Sequence, residues 1–317
     1  MSASEATPAA RTRPFYWSVR RELWEHRALY LAPLIAAGLV LFGFLVSGLH
    51  MVRNVSAADA ATRAVHAMDT GNVEAFAKAA KLAVKTQAAV EMPFLVAAGF
   101  TFATVIVVVV FYGLGALYGE RRDRTILFWK SLPVSDLTTV MAKATLPLVV
   151  APVVIFTVTF ATQLAMLAWS SLILLANGVS PSTLTAQLHF PLMWFALARA
   201  LIVMSLWWSP VVAWLMLVSG WARRTPILWA VGPWAALCLV EYLAFQTQHV
   251  LGLIAGRLAG GYIAAFTVDG DGEAPISTLA GLNPLPLLRH PELWIGLAVA
   301  AVCFALAVRL RRYRDPI

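Results

Sequence analysis

Long apolar runs alternate with short charged segments along this chain. The runs lie at about residues 29–49, 93–117, 138–176, 191–218, 226–247 and 293–308. Most of them reach or exceed the roughly 20 residues with which a helix crosses the hydrocarbon core of a bilayer. Residues 105–110 are β-branched and would favour a strand in water, but a segment in lipid must satisfy its own backbone hydrogen bonds as a helix. The pattern therefore predicts an all-α membrane protein with six transmembrane helices.

The segments outside these runs predict further helices. Residues 15–27 alternate aromatic and basic side chains, which is typical of an amphipathic helix lying on a membrane surface. Residues 51–91 form a long outer loop, in which helical spacing predicts one or two amphipathic helices outside the membrane. The third run is longer than one crossing, which predicts a cytoplasmic extension or a kink at Pro147 and Pro152.

Composition and charge predict how the chain is oriented. Hydrophobic residues make up 60% of the chain and charged residues 13%, about half of the charged share of a soluble domain. The net charge of +8 indicates basic residues held at one membrane face rather than nucleic-acid binding. With six spans, 16 of the 24 lysines and arginines face the cytoplasm, as do both termini. A seventh span at 249–268 would place the arginine-rich C-terminus outside, so we expect an outer re-entrant helical segment or hairpin there.

A charged segment at residues 118–136 separates the second and third runs. It contains four consecutive large apolar residues, Ile126, Leu127, Phe128 and Trp129. A plain solvent loop does not carry such a patch. The segment predicts a short amphipathic helix that ends near Pro133, followed by Ser135 or Asp136 as the N-cap of the next helix. Two interpretations follow from the residues alone: the helix docks a partner protein, or it lies among lipid headgroups.

This segment resembles the cytoplasmic loop after the second span in permease subunits of ABC-2 type transporters. Residues 120–135 read E-R-R-D-R-T-I-L-F-W-K-S-L-P-V-S and match the pattern of that loop in order. In that family the loop forms a coupling helix that sits on a separate ATPase subunit. The rest of the chain resembles the family only in its plan of spans, so the resemblance does not name the substrate.

The resemblance implies roles for residues and segments of this chain. It implies a single transmembrane permease domain over residues 1–317, with a tail and elbow helix at 1–28 and a basic cytoplasmic tail at 309–317. It places short helices between the fifth and sixth spans, near the exit of the transport path. The residues that would dock the ATPase subunit are Glu120, Arg121, Arg122, Asp123, Ile126, Phe128, Trp129 and Lys130.

The function that the resemblance implies is transport. The chain would be a subunit of an exporter of an amphipathic or hydrophobic substrate, such as a drug, a peptide or a lipid, in the bacterial cytoplasmic membrane. Its expected partners are an ATPase subunit, a second copy or a paralogous permease subunit, and membrane lipids, but no nucleic acid. The alternative is an assembly or signalling component that uses the same docking helix without moving a solute.

Two ionisable residues fall deep inside the predicted spans. Arg199 in the fourth and Glu241 in the fifth lie at similar depth, because these spans are antiparallel and joined by a short turn. A pair would reduce the cost of placing each charge in lipid. We therefore predict an Arg199–Glu241 ion pair, either as a structural clamp or on the substrate path. Trp207 and Trp208 are too deep for an interfacial belt, so they either pack or line an apolar substrate surface.

The sequence contains no catalytic or metal-binding pattern. It has no Gly-Lys dipeptide and hence no P-loop, and its six histidines are scattered. The two cysteines, Cys238 and Cys303, fall inside apolar runs and are expected to be small core residues. We therefore expect a transport subunit rather than an enzyme, with no cofactor or metal of its own. ATP and Mg would be bound by the partner subunit.

Overall fold

The structure, a computed structural model, describes residues 13–67, 73–125, 128, 134–266 and 288–314. This part of the chain is almost entirely helical and contains no strand. Six of its helical segments are long and apolar enough to span a membrane, which confirms the predicted number. These segments are Ala28–Val46, Val73–Arg122, Asp136–Ala176, Phe190–Trp221, Pro226–Phe245 and Pro291–Tyr313.

The described residues from 13 to 125 form five helices. They are α1 (Pro14–Glu25), α2 (Ala28–Val46), α3 (Gly48–Ala67), α4 (Val73–Gly115) and α5 (Tyr118–Arg122). Helix α1 lies where the amphipathic helix was predicted and has proline in its first turn, where no intrahelical donor is lost. Its placement on a membrane surface stays a prediction. Residues of the charged segment from 126 to 133, apart from Phe128, lie outside the described residues.

The described residues from 134 to 314 form seven further helices and one π-helical turn. They are α6 (Asp136–Thr145), the π turn (Leu146–Val150), α7 (Ala151–Ala176), α8 (Pro181–Gln187), α9 (Phe190–Trp221), α10 (Pro226–Phe245), α11 (His249–Phe266) and α12 (Pro291–Tyr313). The predicted N-cap of α6 is confirmed at Ser135, whose Oγ accepts a hydrogen bond of 3.1 Å from the backbone N–H of Thr138. Helix α8 lies between the third and fourth spans.

The helix that contains the predicted second span begins well before it. We expected the span to begin at Pro93, and α4 runs from Val73 through this proline as one 43-residue helix, so the start of the membrane crossing stays a prediction. Val90, Phe94 and Ala97 are buried on either side of it and pack into one apolar core. This packing favours a continuous helix over the hydrogen bond that proline removes. The predicted amphipathic helices are therefore α3 and the first part of α4.

The third span is irregular at the predicted prolines. Between α6 and α7 the chain makes a π-helical turn, in which the backbone N–H of Ala151 donates to the carbonyl of Leu146. Pro147 lies inside this turn and Pro152 follows it, and neither can donate a backbone hydrogen bond. The Oγ of Ser205 on α9 donates to the Leu148 carbonyl and thereby fastens the turn to the fourth span.

The fourth span, α9, occupies the centre of the bundle. It packs against α4, α11 and α12, and more of its residues are buried than in any other described helix. Helix α10, in contrast, buries only Ala230. Residues 249–266 form one continuous helix rather than a hairpin within that range, and any returning limb would fall outside the described residues. Of these two consecutive spans, α9 is thus an inner helix and α10 a peripheral one, and the 222–225 turn joins them.

Candidate functional site

Five charged residues from four helices meet where the charged segment leaves and re-enters the bundle. We call them the charge cluster: Glu22 on α1, Glu120 on α5, Asp136 and Lys143 on α6, and Arg311 on α12. The Nζ of Lys143 lies 2.5 Å from Oε1 of Glu22 and 3.2 Å from Oε1 of Glu120. The guanidinium of Arg311 bonds Oδ1 of Asp136 through Nε at 3.1 Å and contacts Glu120 through Nη1.

The charge cluster is buried, which makes its pairing energetically important. The side chains of Glu22, Lys143 and Arg311 are 1%, 3% and 4% exposed. A charge at such a site costs several kcal/mol unless partners compensate it. Each of the three has an opposite charge within hydrogen-bond distance. Glu22 has a second such partner, Arg21, at 3.0 Å. The cluster therefore holds α1, α5, α6 and α12 in one fixed arrangement.

An aromatic pair extends the cluster toward the first span. The hydroxyl of Tyr112 donates to the Lys143 carbonyl at 3.0 Å and also lies 3.3 Å from Oε2 of Glu22. The ring of His26 meets the Tyr112 ring edge to face at 4.7 Å, and its Nε2 lies 3.5 Å from Glu22. Burial lowers the pKa of His26, although the Glu22 carboxylate opposes this shift.

The pKa of Glu22 reflects two opposing effects. Burial alone raises the pKa of a carboxyl, because it penalises the charged form. The ammonium of Lys143 and the guanidinium of Arg21 attract and hydrogen-bond that form, and the pKa of Glu22 is lowered from its usual value of 4.5. Glu22 is therefore held as a carboxylate at neutral pH.

Helix α5 is also fastened to the turn between α9 and α10. Arg121 is buried, and its Nη1 donates to the carbonyls of Gly220 at 2.8 Å and Ala222 at 3.3 Å. The Oγ of Ser219 accepts from the backbone N–H groups of Leu117 and Tyr118, both at 2.8 Å. Two predicted docking residues, Glu120 and Arg121, thus face the rest of this chain.

Three other predicted docking residues are exposed. Arg122 and Asp123 form a surface ion pair with Nε and Oδ1 2.9 Å apart. The hydrogen bond from Arg122 lowers the pKa of Asp123. The Phe128 side chain is 61% exposed. Ile126, Trp129 and Lys130 lie outside the described residues.

Glu22, Glu25 and His26 bring their ligand atoms within 4.8 Å of one another, as a metal site requires. In the structure these carboxylates already have cationic partners, since Glu22 pairs with Lys143 and Glu25 pairs with Arg21 at 3.3 Å. A metal ion would have to displace an ammonium and compete with a guanidinium. The chemistry of this group is therefore that of an ion-pair network.

The two ionisable residues predicted inside the spans have different surroundings. Arg199 is buried in α9. Glu241, near the end of α10, accepts hydrogen bonds from Oγ1 of Thr247 at 2.7 Å and from the backbone N–H groups of His249 at 2.7 Å and Val250 at 2.8 Å. Its carboxylate thus caps the start of α11, a role that the sequence analysis did not identify. The Arg199–Glu241 pair stays a prediction.

The two deep tryptophans face different neighbours. Trp207 packs against Gly260 and Gly261 of α11, where a Cβ would lie about 3 Å from its ring. The guanidinium of Arg257 on α11 lies 5.0 Å from a ring centroid of Trp207. Trp208 lines a mostly apolar groove between α4, the π turn, the start of α7 and α9. Its position in the groove makes Trp208 a candidate for an apolar substrate surface, whereas Trp207 contributes to helix packing.

Lys143 and Arg311 were not among the predicted site residues. Lys143 is a lone charge near the start of an apolar run, where a membrane helix rarely keeps one without a partner, whereas Arg311 is one of four arginines after the last run and carries no such signal. The partners are more than 100 residues away along the chain in most cases, so only the tertiary fold identifies them.

Comparisons with known proteins give no independent assignment. No protein-family model matches this chain, and neither a curated protein nor a solved structure is significantly similar to it. Functional inference therefore depends on the motif in the charged segment and on the geometry around it.

Proposed function

We propose that this chain is the permease subunit of an ABC-2 type transporter and that a separate ATPase subunit docks on its 120–136 loop. The observation that carries the proposal is the loop itself. It follows the order of residues that such docking loops contain, and both of its ends are held in the buried charge cluster by Arg311, through Glu120 and Asp136.

The arrangement divides the predicted docking residues into two groups. Glu120 and Arg121 position the loop, because their side chains are bound to α12, α6 and the α9–α10 turn. Arg122, Asp123 and Phe128 are exposed and available for contact with a partner. The sequence adds Ile126, Trp129 and Lys130 to this second group. In this proposal the first group transmits force and the second group receives it.

A movement of the 120–136 loop would be transmitted to several spans at once. Glu120 lies at the end of the second span and Asp136 at the start of the third. Lys143 connects both to α1 through Glu22, and Arg311 connects them to the last span. ATP-driven movement of the docked subunit would therefore shift these helices together and change access to the transport path.

The apolar groove between α4, the π turn and α9 suits an amphipathic or hydrophobic substrate. Its lining includes Phe102, Pro152, Leu201 and Trp208, with Ser205 as a polar group. The exposed apolar surface of α10 offers a contact for lipid or for a second permease subunit. Export is the direction that the resemblance favours. ATP and Mg would bind to the partner and not to this chain.

The test is co-purification of the full chain with candidate ATPase subunits, followed by nucleotide-dependent flux in vesicles. We expect an Arg122→Glu/Phe128→Ala variant to lose the ATPase subunit. A matched control, Arg309→Glu/Tyr313→Ala, changes an exposed arginine and an exposed aromatic residue on α12 and should keep it. Binding of the ATPase to the loop variant as tightly as to wild type would contradict the docking site. Binding without flux would instead support the assembly or signalling alternative.

A further inference from the structure

Helix α1 presents a face on which tryptophan and arginine alternate. Trp17, Arg20 and Trp24 follow at spacings of three and four residues, which places them on one side of a helix. Arg13 and Arg27 flank the helix at its two ends and are exposed. We call these five residues the Arg–Trp face.

The geometry of the Arg–Trp face keeps one guanidinium between two aromatic rings. The Cζ of Arg20 lies 5.3 Å from the ring centroid of Trp17 and 4.7 Å from that of Trp24. Both distances are within the range of a cation–π contact. The two tryptophans are 57% and 61% exposed, so the rings are not held there by the protein core. The face therefore combines a fixed cation with two exposed amphipathic rings.

The positive charge of the face is not neutralised within the described part of the chain. Arg13, Arg20 and Arg27 form no salt bridge with a described carboxylate. The two carboxylates of α1 are engaged elsewhere, because Glu22 points into the charge cluster and Glu25 pairs with Arg21. An anionic partner from outside the chain would complete this surface.

The position of α1 indicates which anionic partner this is. The helix ends two residues before α2, the first apolar helix, so it lies at the level where that helix enters the membrane. Tryptophan prefers this interfacial level, and arginine near it is attracted to anionic lipid headgroups. An aromatic surface without carboxylates suits the headgroup layer better than it suits water.

We propose that the Arg–Trp face of α1 binds the phosphate groups of anionic phospholipids. This inference goes beyond the proposed transport function and does not depend on it. Since Glu22 on the same helix is bound to Lys143, a lipid-bound α1 is rigidly connected to the ends of the 120–136 loop.

The experiment is a lipid titration of the purified full-length chain in a mild detergent, without any ATPase subunit. Binding of phosphatidylglycerol, phosphatidylcholine and inorganic phosphate is measured by native mass spectrometry and by the midpoint of thermal unfolding. The test variant is Arg13→Gln/Arg20→Gln/Arg27→Gln. The matched control, Lys78→Gln/Lys81→Gln/Lys85→Gln, removes three exposed cations from α4 instead.

We expect the wild-type chain and the control to bind phosphatidylglycerol in preference to phosphatidylcholine. The affinity of the test variant for phosphatidylglycerol should fall by about a hundredfold, since each arginine near a lipid surface contributes roughly a factor of five to ten. Binding should weaken as salt is raised from 0.1 M toward 1 M. An Arg13→Lys/Arg20→Lys/Arg27→Lys variant keeps the charge and should retain most of the affinity.

Several results would overturn the inference. One is equal phosphatidylglycerol affinity of the test variant and wild type. Another is an equal loss in the α4 control, which would indicate general charge attraction. A third is a preference for inorganic phosphate over phosphatidylglycerol.

Discussion

A single buried lysine balances two buried carboxylates in this protein. Lys143 contacts both Glu22 and Glu120. Among the described residues, Arg21 also lies within 4 Å of both carboxylates, at 3.0 Å from Glu22 and 3.8 Å from Glu120. Removal of one partner from a buried ion pair leaves the other charge without compensation, which costs more than the pair itself contributes. The charge cluster is thus more sensitive to single changes than to paired ones.

The first prediction concerns this lysine. Lys143→Met should lower the free energy of unfolding by about 3–5 kcal/mol, because it removes the buried cation that Glu22 and Glu120 share and leaves Arg21 as the cation nearest to the buried Glu22. Glu22→Gln in the same chain should restore part of the loss. The midpoint of thermal unfolding in detergent measures both. Lys81→Met on the exposed face of α4 is the control, and the same midpoint for the two methionine variants would contradict the role of the cluster.

The second prediction concerns acid pH. The pKa of Glu22 is lowered from 4.5, so its carboxylate stabilises the folded state fully above about pH 4.5. This contribution is lost as the pH falls from 4.5 through the pKa of the folded state. His26, whose pKa is also lowered, adds a loss of the same sign that begins below its usual value of 6.5. Stability should therefore fall on acidification in two successive windows.

A pH series of unfolding midpoints tests this order. Glu22→Gln should be less stable than wild type at pH 7 and should lose less between pH 5 and pH 3. Glu74→Gln, at an exposed position on α4, should follow the wild-type curve. If Glu22→Gln and wild type lose stability in parallel over this range, Glu22 is not the group that titrates.

Helix α11 makes close contacts at two glycines. Gly261 lies against the ring of Trp207, and Gly296 on α12 lies under the guanidinium of Arg257. The Nη1 of Arg257 donates to the Glu292 carbonyl at 3.1 Å. These contacts, together with the Glu241 cap, attach α11 to α9, α10 and α12. Arg257 is thus one of the residues that anchor this helix.

The third prediction tests the contact at Gly261. A Cβ at position 261 would lie 2.8 Å from Cδ1 in the buried ring of Trp207, so Gly261→Ala must displace the ring or the helix. We expect the free energy of unfolding to fall by about 1–3 kcal/mol, as for other overpacked sites. Gly232→Ala on α10 meets no atom within 4 Å and should be neutral or slightly stabilising. Equal midpoints for the two alanine variants would rule out the close contact.

The sequence predicted secondary-structure elements better than it predicted tertiary contacts between side chains. Hydrophobic runs located all six spans, and local turn chemistry located the Ser135 cap and the irregularity at Pro147 and Pro152. The continuation of α4 through Pro93 could not be predicted, because it depends on apolar partners from α2, α3, α7 and α9. The charge cluster could not be predicted either. Positive-inside reasoning placed its basic residues at one end of the bundle but assigned no partners to them.

For the whole molecule, the charge cluster connects parts of the chain that are remote in sequence. Arg311, close to the C-terminus, bonds both ends of the 120–136 loop, and Glu22, close to the N-terminus, bonds the same lysine as Glu120. The contacts of the Arg311 guanidinium and those of the Lys143 ammonium thus both involve the ends of this loop. The orientation of α1 and the orientation of α12 are coupled to the loop through fixed, short ion pairs rather than through mobile surface charges.

The fourth prediction separates docking from transmission in the proposed transporter. Arginine can bond two carboxylates through different nitrogens, whereas lysine is a single point of charge. Arg311→Lys keeps a buried cation but should no longer bridge Glu120 and Asp136. We expect this variant to bind the ATPase subunit like wild type and to lose about tenfold in ATP-dependent flux, within the range of 5–150-fold that couplings between sites usually reach.

Arg309→Lys is the matched control, since it makes the same change two residues away at an exposed position on α12. Its flux should equal that of wild type. The informative quantity is the ratio of flux to ATPase binding, because a folding defect lowers both whereas a transmission defect lowers flux alone. If Arg311→Lys and Arg309→Lys give the same ratio, the loop does not act on the spans through Arg311. The force would then have to pass through the covalent ends of α4 and α6 by themselves.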